Sequence, residues 1–324
     1  LDVYYKRELS KQKAKSIDET ERALDKELRP ALGDRPIITV KRRDVRKITD
    51  KIMDRGAPVM ANRVHAMISA FFAWAAGTED YGFDVSPLAN APYPFQETTR
   101  NRVLNNDELR LVWLGAERVG WPYGPVVQLL ILTAQRKMEV GAASWPELKM
   151  DGNRMLWTIP AERCKNGREQ NLYLPHAAMK MFESQPVIAG KDGAEFIFTT
   201  RGKVPVWSYS AAKTALDDAM LEIAKEEATA RGEDADKVKA IPHWTLHDLR
   251  RTTTTHLAAL KFPPHVVEAL LNHSGGTVKG VAAIYNRYEY MEEKFEALDR
   301  WAEVVDRIVR GEAVSNVVPF KKAV

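Results

Sequence analysis

His247-Asp248-Leu249-Arg250-Arg251-Thr252, followed downstream by Ile284-Tyr285-Asn286-Arg287, is the stretch from which the larger part of this chain can be read. Three residues apart on a helix, the His247 imidazole and the Arg250 guanidinium share one face. Such a pair suits a phosphate diester, because a guanidinium keeps its proton and can pair with two oxygens at once. Tyr285 then offers a phenol able to attack the phosphorus. Each residue also has a plainer use. A histidine that opens a helix is often structural, and a tyrosine among apolar neighbours usually packs. Tyr288 and Tyr290 stand close by as rival phenols.

Three more positions extend the set. Arg136, in Thr133-Ala134-Gln135-Arg136-Lys137-Met138-Glu139-Val140, would supply a second guanidinium from a distant part of the chain. Two fixed cations are what a transition state with charge spread over non-bridging oxygens asks for. On its own, an arginine three residues before a glutamate also makes a surface ion pair of little worth. Lys165, in Arg163-Cys164-Lys165-Asn166-Gly167, falls on an Asn-Gly turn between two candidate strands, where an exposed lysine is ordinary. His273 follows the apolar run Val266-Val267-Glu268-Ala269-Leu270-Leu271, a position that also suits a helix cap or a satisfied buried histidine.

In this order and approximate spacing the six positions resemble the tyrosine recombinases, and most of all the phage-type integrases that mobilise genomic islands. The likeness runs from about residue 104 to 303, and more loosely over the preceding helices. Tyr288-Glu289-Tyr290-Met291-Glu292-Glu293-Lys294 and Ala297-Leu298-Asp299-Arg300-Trp301 are similar to the integrase C-terminal helix. Two departures stand out: Ala134 where those enzymes usually carry glycine, and Gln170 where many carry histidine. The resemblance implies a mainly α fold with a small antiparallel β-sheet, a helical core-binding domain joined to an α+β catalytic domain. It implies that Arg136 and Arg250 clamp the phosphate, that His247 acts as general base or phosphate ligand, and that His273 hydrogen-bonds the phosphate. Lys165 would protonate the leaving 5′-oxygen, and Tyr285 would form a 3′-phosphotyrosine that is later religated. No ATP, metal or other cofactor is needed for that chemistry. Arg251 is expected to face elsewhere in a structural pair, and His243, His256 and His265 to be structural. The same residue set also serves type IB topoisomerases, and a catalytically silent DNA-binding relative is a further alternative.

Composition fits these expectations without proving them. The chain has 324 residues, an apolar fraction of 45 % and a net charge of +4, with a pI near 8.9, so two soluble domains and a polyanionic partner are both permitted. Cys164 is the only cysteine, which excludes an internal disulfide and fits a reducing compartment. No apolar run approaches the roughly twenty residues that span a bilayer, and no signal peptide is visible. A cytoplasmic, nucleoid-associated bacterial protein is expected. Because the chain opens on Leu1, an N-terminal segment is expected to be missing; many integrases of the resembled kind carry a small arm-binding domain there, and the sequence leaves open whether it was removed.

The sequence divides into a helical domain over 1–91, a linker over 92–104, a catalytic domain over 105–311 and a tail over 312–324. Ser16-Ile17-Asp18-Glu19 reads as a capping box before a first helix that Gly33-Asp34-Arg35-Pro36 ends. A second helix turns Val45, Ile48 and Ile52 inward, and a third runs from Gly56-Ala57-Pro58 to Gly77. Between residues 41 and 55 there are seven basic and three acidic residues. Lys41, Arg42, Arg43, Arg46 and Lys47 are therefore the candidate DNA contacts, though a solvated helix face would read the same. Asn106 is expected to cap the next helix. Strands are expected at Met155-Leu156-Trp157-Thr158-Ile159 and Asn171-Leu172-Tyr173-Leu174. Residues 225–239 read as a solvated helix or surface insertion. The last helix should bury Met291, Phe295, Leu298, Ala302, Val305 and Val309. The expected partners are double-stranded DNA attachment sites, further copies of the chain in a tetramer on DNA, and accessory DNA-bending or directionality proteins, with no membrane.

Overall fold

The computed structural model describes residues 1–78, 80–190, 193, 195–273 and 288–313. Tyr285 and the greater part of the expected tail lie outside the described residues. The chain divides into two compact units, Leu1–Arg100 and Asn101–Val324.

The first unit is helical: α1 (Asp2–Arg7), α2 (Ala14–Glu27), α3 (Arg29–Leu32), α4 (Arg42–Asp54) and α5 (Pro58–Gly77). Its core gathers Tyr4, Leu24, Leu28, Val45, Ile48, Ile52, Val64, Ile68 and Phe72. The Tyr4 ring stands edge-on to Phe71 at 5.4 Å and near Trp74 at 5.3 Å, which ties α1 to α5. The sequence reading did not anticipate α1. It also placed the first cap too late, since α2 starts at Ala14 with Lys13 at its N-cap, so Ser16 already sits inside the first turn. In α4, Val45, Ile48, Thr49 and Ile52 are buried, and Asp44 closes the start by accepting the Lys41 N–H at 3.0 Å. Lys41, Arg42, Arg43, Arg46 and Lys47 are all exposed. Arg42 donates to the Ala89 carbonyl at 2.7 Å, and Arg46 lies 3.6 Å from Asp50. Part of the 92–104 stretch is clasped rather than loose. The Asn62 amide donates to Phe95 O at 2.7 Å and accepts from Phe95 N at 3.0 Å.

The second unit opens with α6 (Asn106–Val119), whose N-cap is Asn105 and not Asn106. The Asn105 side chain accepts the Glu108 N–H at 2.8 Å, and Glu108 returns the bond to Asn105 N at 2.9 Å. α7 (Tyr123–Thr133) is buried on every side from Val126 to Thr133, because α6, α8 (Lys137–Gly141), α9 (His176–Glu183), α11 (Leu246–Ala259) and α13 (Met291–Val309) all pack on it. α10 (Tyr209–Ala230) lies along α6. It includes the first six residues of the charged 225–239 stretch, and α12 (Pro264–Leu270) follows α11. Trp157, Trp244 and Trp301 are fully enclosed. Their indole N–H groups donate to Glu147 at 2.9 Å, Asp217 at 3.0 Å and the Ile131 carbonyl at 2.7 Å, so burial leaves none of these three indoles unsatisfied.

The sheet is antiparallel in the order β1 (Leu148–Asp151), β2 (Arg154–Ile159), β3 (Gln170–Tyr173), with Trp157 opposite both Leu148 and Leu172. β2 alternates as a half-buried strand should, with Met155, Trp157 and Ile159 inward. β1 was missed because it is an exposed edge whose residues show no alternation, although Gly152-Asn153, with Gly152 at φ 60°, is a good hairpin turn. The buried face of α13 is also turned from the expected one: Lys294, Ala297, Leu298, Trp301, Val304, Val305 and Ile308 point inward.

Candidate active site

The site is built around the C-terminal end of α12. A helix end leaves carbonyls without intrahelical partners, and here successive ones accept from side chains of other elements. Gln170 of β3 donates to Ala269 O at 3.2 Å and Leu270 O at 2.9 Å. Gln135 donates to Leu270 O at 3.0 Å. Arg250 donates to Leu271 O, and Asn166 donates to Asn272 O at 2.8 Å. His273 follows directly, its N–H returning to Glu268 O at 3.1 Å.

Arg250 is 5 % exposed and sits on α11. Its two terminal nitrogens reach Ala134 O and Leu271 O, joining the end of α7 to the end of α12. A guanidinium carries five N–H donors, so further donors remain for a ligand. Burial, followed by the Arg136 charge, brings its pKa down to about 10, so it stays cationic at neutral pH. Ala134 occupies the left-handed region at φ 54°, a conformation that costs a residue with a Cβ about 1–2 kcal/mol. That turn ends α7 and redirects the chain, and a glycine would adopt it without cost.

Arg136 is the N-cap of α8 rather than a residue within a helix. Its N–H and its guanidinium each donate to Glu139 at 2.8 Å, so one buried carboxylate both caps the helix and aims the arginine. The expected Arg136–Glu139 ion pair therefore exists, but with Glu139 only 3 % exposed it is no surface pair. The end of α8 needs Gly141, where a Cβ would stand 1.6 Å from the Tyr209 hydroxyl oxygen.

His247 lies in the first turn of α11. Asp248 holds that turn by accepting from Thr245 N at 2.8 Å, from the Thr245 hydroxyl at 2.9 Å and from Arg251 at 2.6 Å. Arg251 is thus the structural partner expected of it. His247 and His273 are open to solvent on one side. The protein packed on the other side lowers both imidazoles below their ordinary range, and Arg250 and Arg136 add to the effect. Arg136, His247, Arg250 and His273 thus come within electrostatic reach of one another, and both imidazoles are held toward the neutral form.

Lys165 is exposed on a ten-residue connection, 160–169, between β2 and β3. Within it, Gly167 N–H closes a turn onto Cys164 O at 3.1 Å. Arg163 pins one side of this loop to Glu147 and to the Glu139 carbonyl of α8. Asn166 pins the other side to Asn272. Sequence reasoning missed Gln135, Arg163, Asn166 and Asn272 as supports, and only the Asn-Gly turn signal marked any of them. Tyr285 belongs to the residues outside the described set. Of its rivals, Tyr288 is 60 % exposed and donates to Glu293 at 3.3 Å, whose charge raises the phenol and disfavours the phenolate. Tyr290 packs 5.0 Å from His265, and His256 stacks on Trp301 at 4.8 Å. Among the described residues no group of His, Cys, Asp and Glu is placed to hold a metal ion, and no helix is long and apolar enough to cross a membrane.

The second unit is thus a mainly helical fold with a small sheet that carries an arginine–histidine cluster at a helix end. Residues 115–290 match the phage integrase family and residues 2–88 the phage integrase central domain. Prophage integrase IntA of Escherichia coli (strain K12) is 26 % identical over 301 residues, covering 92 % of this chain and 67 % of that relative. The integrase of Shigella phage Sf6 is 23 % identical over 305 residues, covering 90 % and 70 %. The chain thus spans about two thirds of the length of these relatives. A lambda integrase (75–356) dimer bound to a COC′ core site shares the fold, with a TM-score of 0.61 at 19 % identity over 86 % of this chain and 95 % of that one. So does the Tn1549 transposon integrase in complex with circular intermediate DNA, at 0.55 and 16 % over 89 % and 92 %. A lambda integrase tetramer bound to a Holliday junction gives 0.61 at 20 %, over 86 % and 77 %. The chain belongs to the phage integrase family, the tyrosine-type site-specific recombinases.

Proposed function

We propose that this chain integrates or excises a mobile element by cleaving and rejoining DNA at attachment sites, with Arg136, Lys165, His247, Arg250, His273 and Tyr285 as its reacting set. The observation that carries the reading is the pair Arg136 and Arg250. Two guanidiniums are held within range of each other, and among the described residues the Glu139 carboxylate partly offsets their charge. Like charges so placed repel, and an anion between them relieves the repulsion. A phosphodiester gaining charge in its transition state gains most.

Tyr285 Oη would form a bond to phosphorus while the phosphorus–O5′ bond breaks. The phenol proton would pass to His247, which burial and its arginine neighbours keep neutral and receptive. Lys165 would give a proton to the departing O5′, and His273 would hold a non-bridging oxygen. The 3′-phosphotyrosine conserves the ester bond energy for religation, which is why no nucleotide is consumed. Helix α4 would contribute Lys41, Arg42, Arg43, Arg46 and Lys47 to phosphates along the duplex, positioning the protein without reading sequence. Residues 1–91 serve in this reading as the core-binding domain and 105–311 as the catalytic domain. Four protomers on two duplexes would complete strand exchange, with accessory DNA-bending or directionality proteins setting its direction.

The test is covalent trapping on a nicked suicide duplex spanning the junction of the element that encodes the chain. Wild type should give an SDS-resistant adduct and Tyr285→Phe none. An adduct that persists in Tyr285→Phe would move the nucleophile to Tyr288 or Tyr290. Salt-sensitive binding with no adduct in wild type would overturn the enzymatic reading in favour of a silent binder.

A further inference from the structure

We infer that Asn166 and Asn272 form a latch that positions Lys165 against the same phosphate that His273 contacts. The inference rests on the reading of Lys165 as the leaving-group acid. The Asn166 amide nitrogen donates to Asn272 O and to Asn272 Oδ1, both at 2.8 Å. The Asn272 amide donates back to Arg168 O at 2.9 Å, and Arg168 N donates to Asn166 Oδ1 at 3.2 Å. Two side-chain amides thereby close a reciprocal ring between the β2–β3 loop and the end of α12, segments 106 residues apart.

The placement is what matters. Asn166 follows Lys165 and Asn272 precedes His273, so the latch joins the two segments at the positions adjoining the proposed acid and phosphate ligand. Asn272 adopts φ 47°, the left-handed conformation that asparagine tolerates better than most residues with a side chain. Glycine would satisfy the backbone there just as well but would remove the amide. Asparagine at this point therefore serves two purposes, ending the helix and holding the loop. An exposed lysine on a ten-residue loop has many rotamers and backbone states to sample. Pinning the loop through Asn166 on one side and Arg163 on the other narrows where the ammonium can reach when the phosphorus–O5′ bond breaks and O5′ takes up its proton.

The latch is tested by cleavage of two nicked suicide duplexes spanning the element junction, one with the natural O5′ and one with sulfur at the 5′-bridging position. A thiolate leaves without taking a proton, so the sulfur substrate bypasses the acid. Asn272→Gly and Asn166→Ala should slow adduct formation on the oxygen substrate roughly tenfold or more, as a small misplacement of a reacting group does. Both should return to within about threefold of wild type on the sulfur substrate, as Lys165→Ala should. Equal loss on both substrates, or wild-type rates on both, would overturn the latch. Wild-type protein giving no adduct on either substrate would instead overturn the recombinase reading on which it rests.

Discussion

Helix α4 and the end of α12 both concentrate positive charge and handle it in opposite ways. On α4 the cations are exposed, and where they pair, as in Arg46–Asp50 at 3.6 Å, the partner lies in solvent. At the end of α12 the cations are fixed: Arg250 is buried against two carbonyls and Arg136 is aimed by a buried carboxylate. Solvated lysines and arginines adapt to a polyanion of any sequence and are screened by salt. Immobilised guanidiniums suffer the cost of desolvation in advance and stand ready where charge will develop. In the proposed reading the first arrangement would supply affinity and the second catalysis.

The comparison can be broken most forcefully at Arg250. Arg250→Ala should abolish adduct formation and, by removing two charge-assisted hydrogen bonds to buried carbonyls, cost about 2–4 kcal/mol of stability by denaturant unfolding. A stable, inactive variant would make Arg250 a phosphate ligand alone. At α4 the effect should be smaller and of another kind. Lys47→Ala should leave unfolding within about 0.5 kcal/mol of wild type and reduce the slope of log K against log salt by about 0.9 if one phosphate contact is lost. An unchanged slope would assign that lysine to solvent.

The gentlest probe is pH. His247 and His273, with His65 and His256, have folded pKa values below the unfolded 6.5. Between the folded and unfolded values the unfolded chain binds more protons, so stability is full above about 6.5 and falls as pH drops below it. Denaturant midpoints in DNA-free protein should therefore decline from pH 7 to pH 5. His247→Gln with His273→Gln should flatten part of that decline, and an unaltered profile would assign it all to His65 and His256.

These contrasts also mark what the sequence could tell. His247, Arg250 and Arg251 were legible because one helical turn places them, and the local capping by Asp248 follows the same short range. Arg136 was legible as chemistry but not as geometry: its position at a helix start depends on the left-handed turn at Ala134, which no periodicity announces. The latch was invisible because Asn166 and Asn272 meet only after the sheet and α12 have formed. β1 escaped because an exposed edge strand has no buried face to pattern. The α13 stripe was misjudged because Lys294 is buried and donates to Asn171 O at 2.6 Å, a role hydrophobic spacing counts as solvent-facing.

The central claim is that fixed guanidiniums neutralise the scissile phosphate. Its most direct test compares Arg136→Ala on a nicked suicide duplex with an ordinary scissile phosphate and on one with an uncharged methylphosphonate there. The variant should lose about 10²–10³-fold in cleavage of the charged substrate and recover most of that loss on the neutral one, where no anionic oxygen needs a partner. Cleavage of the methylphosphonate still depressed by the full factor, in a folded variant that binds DNA normally, would contradict the account.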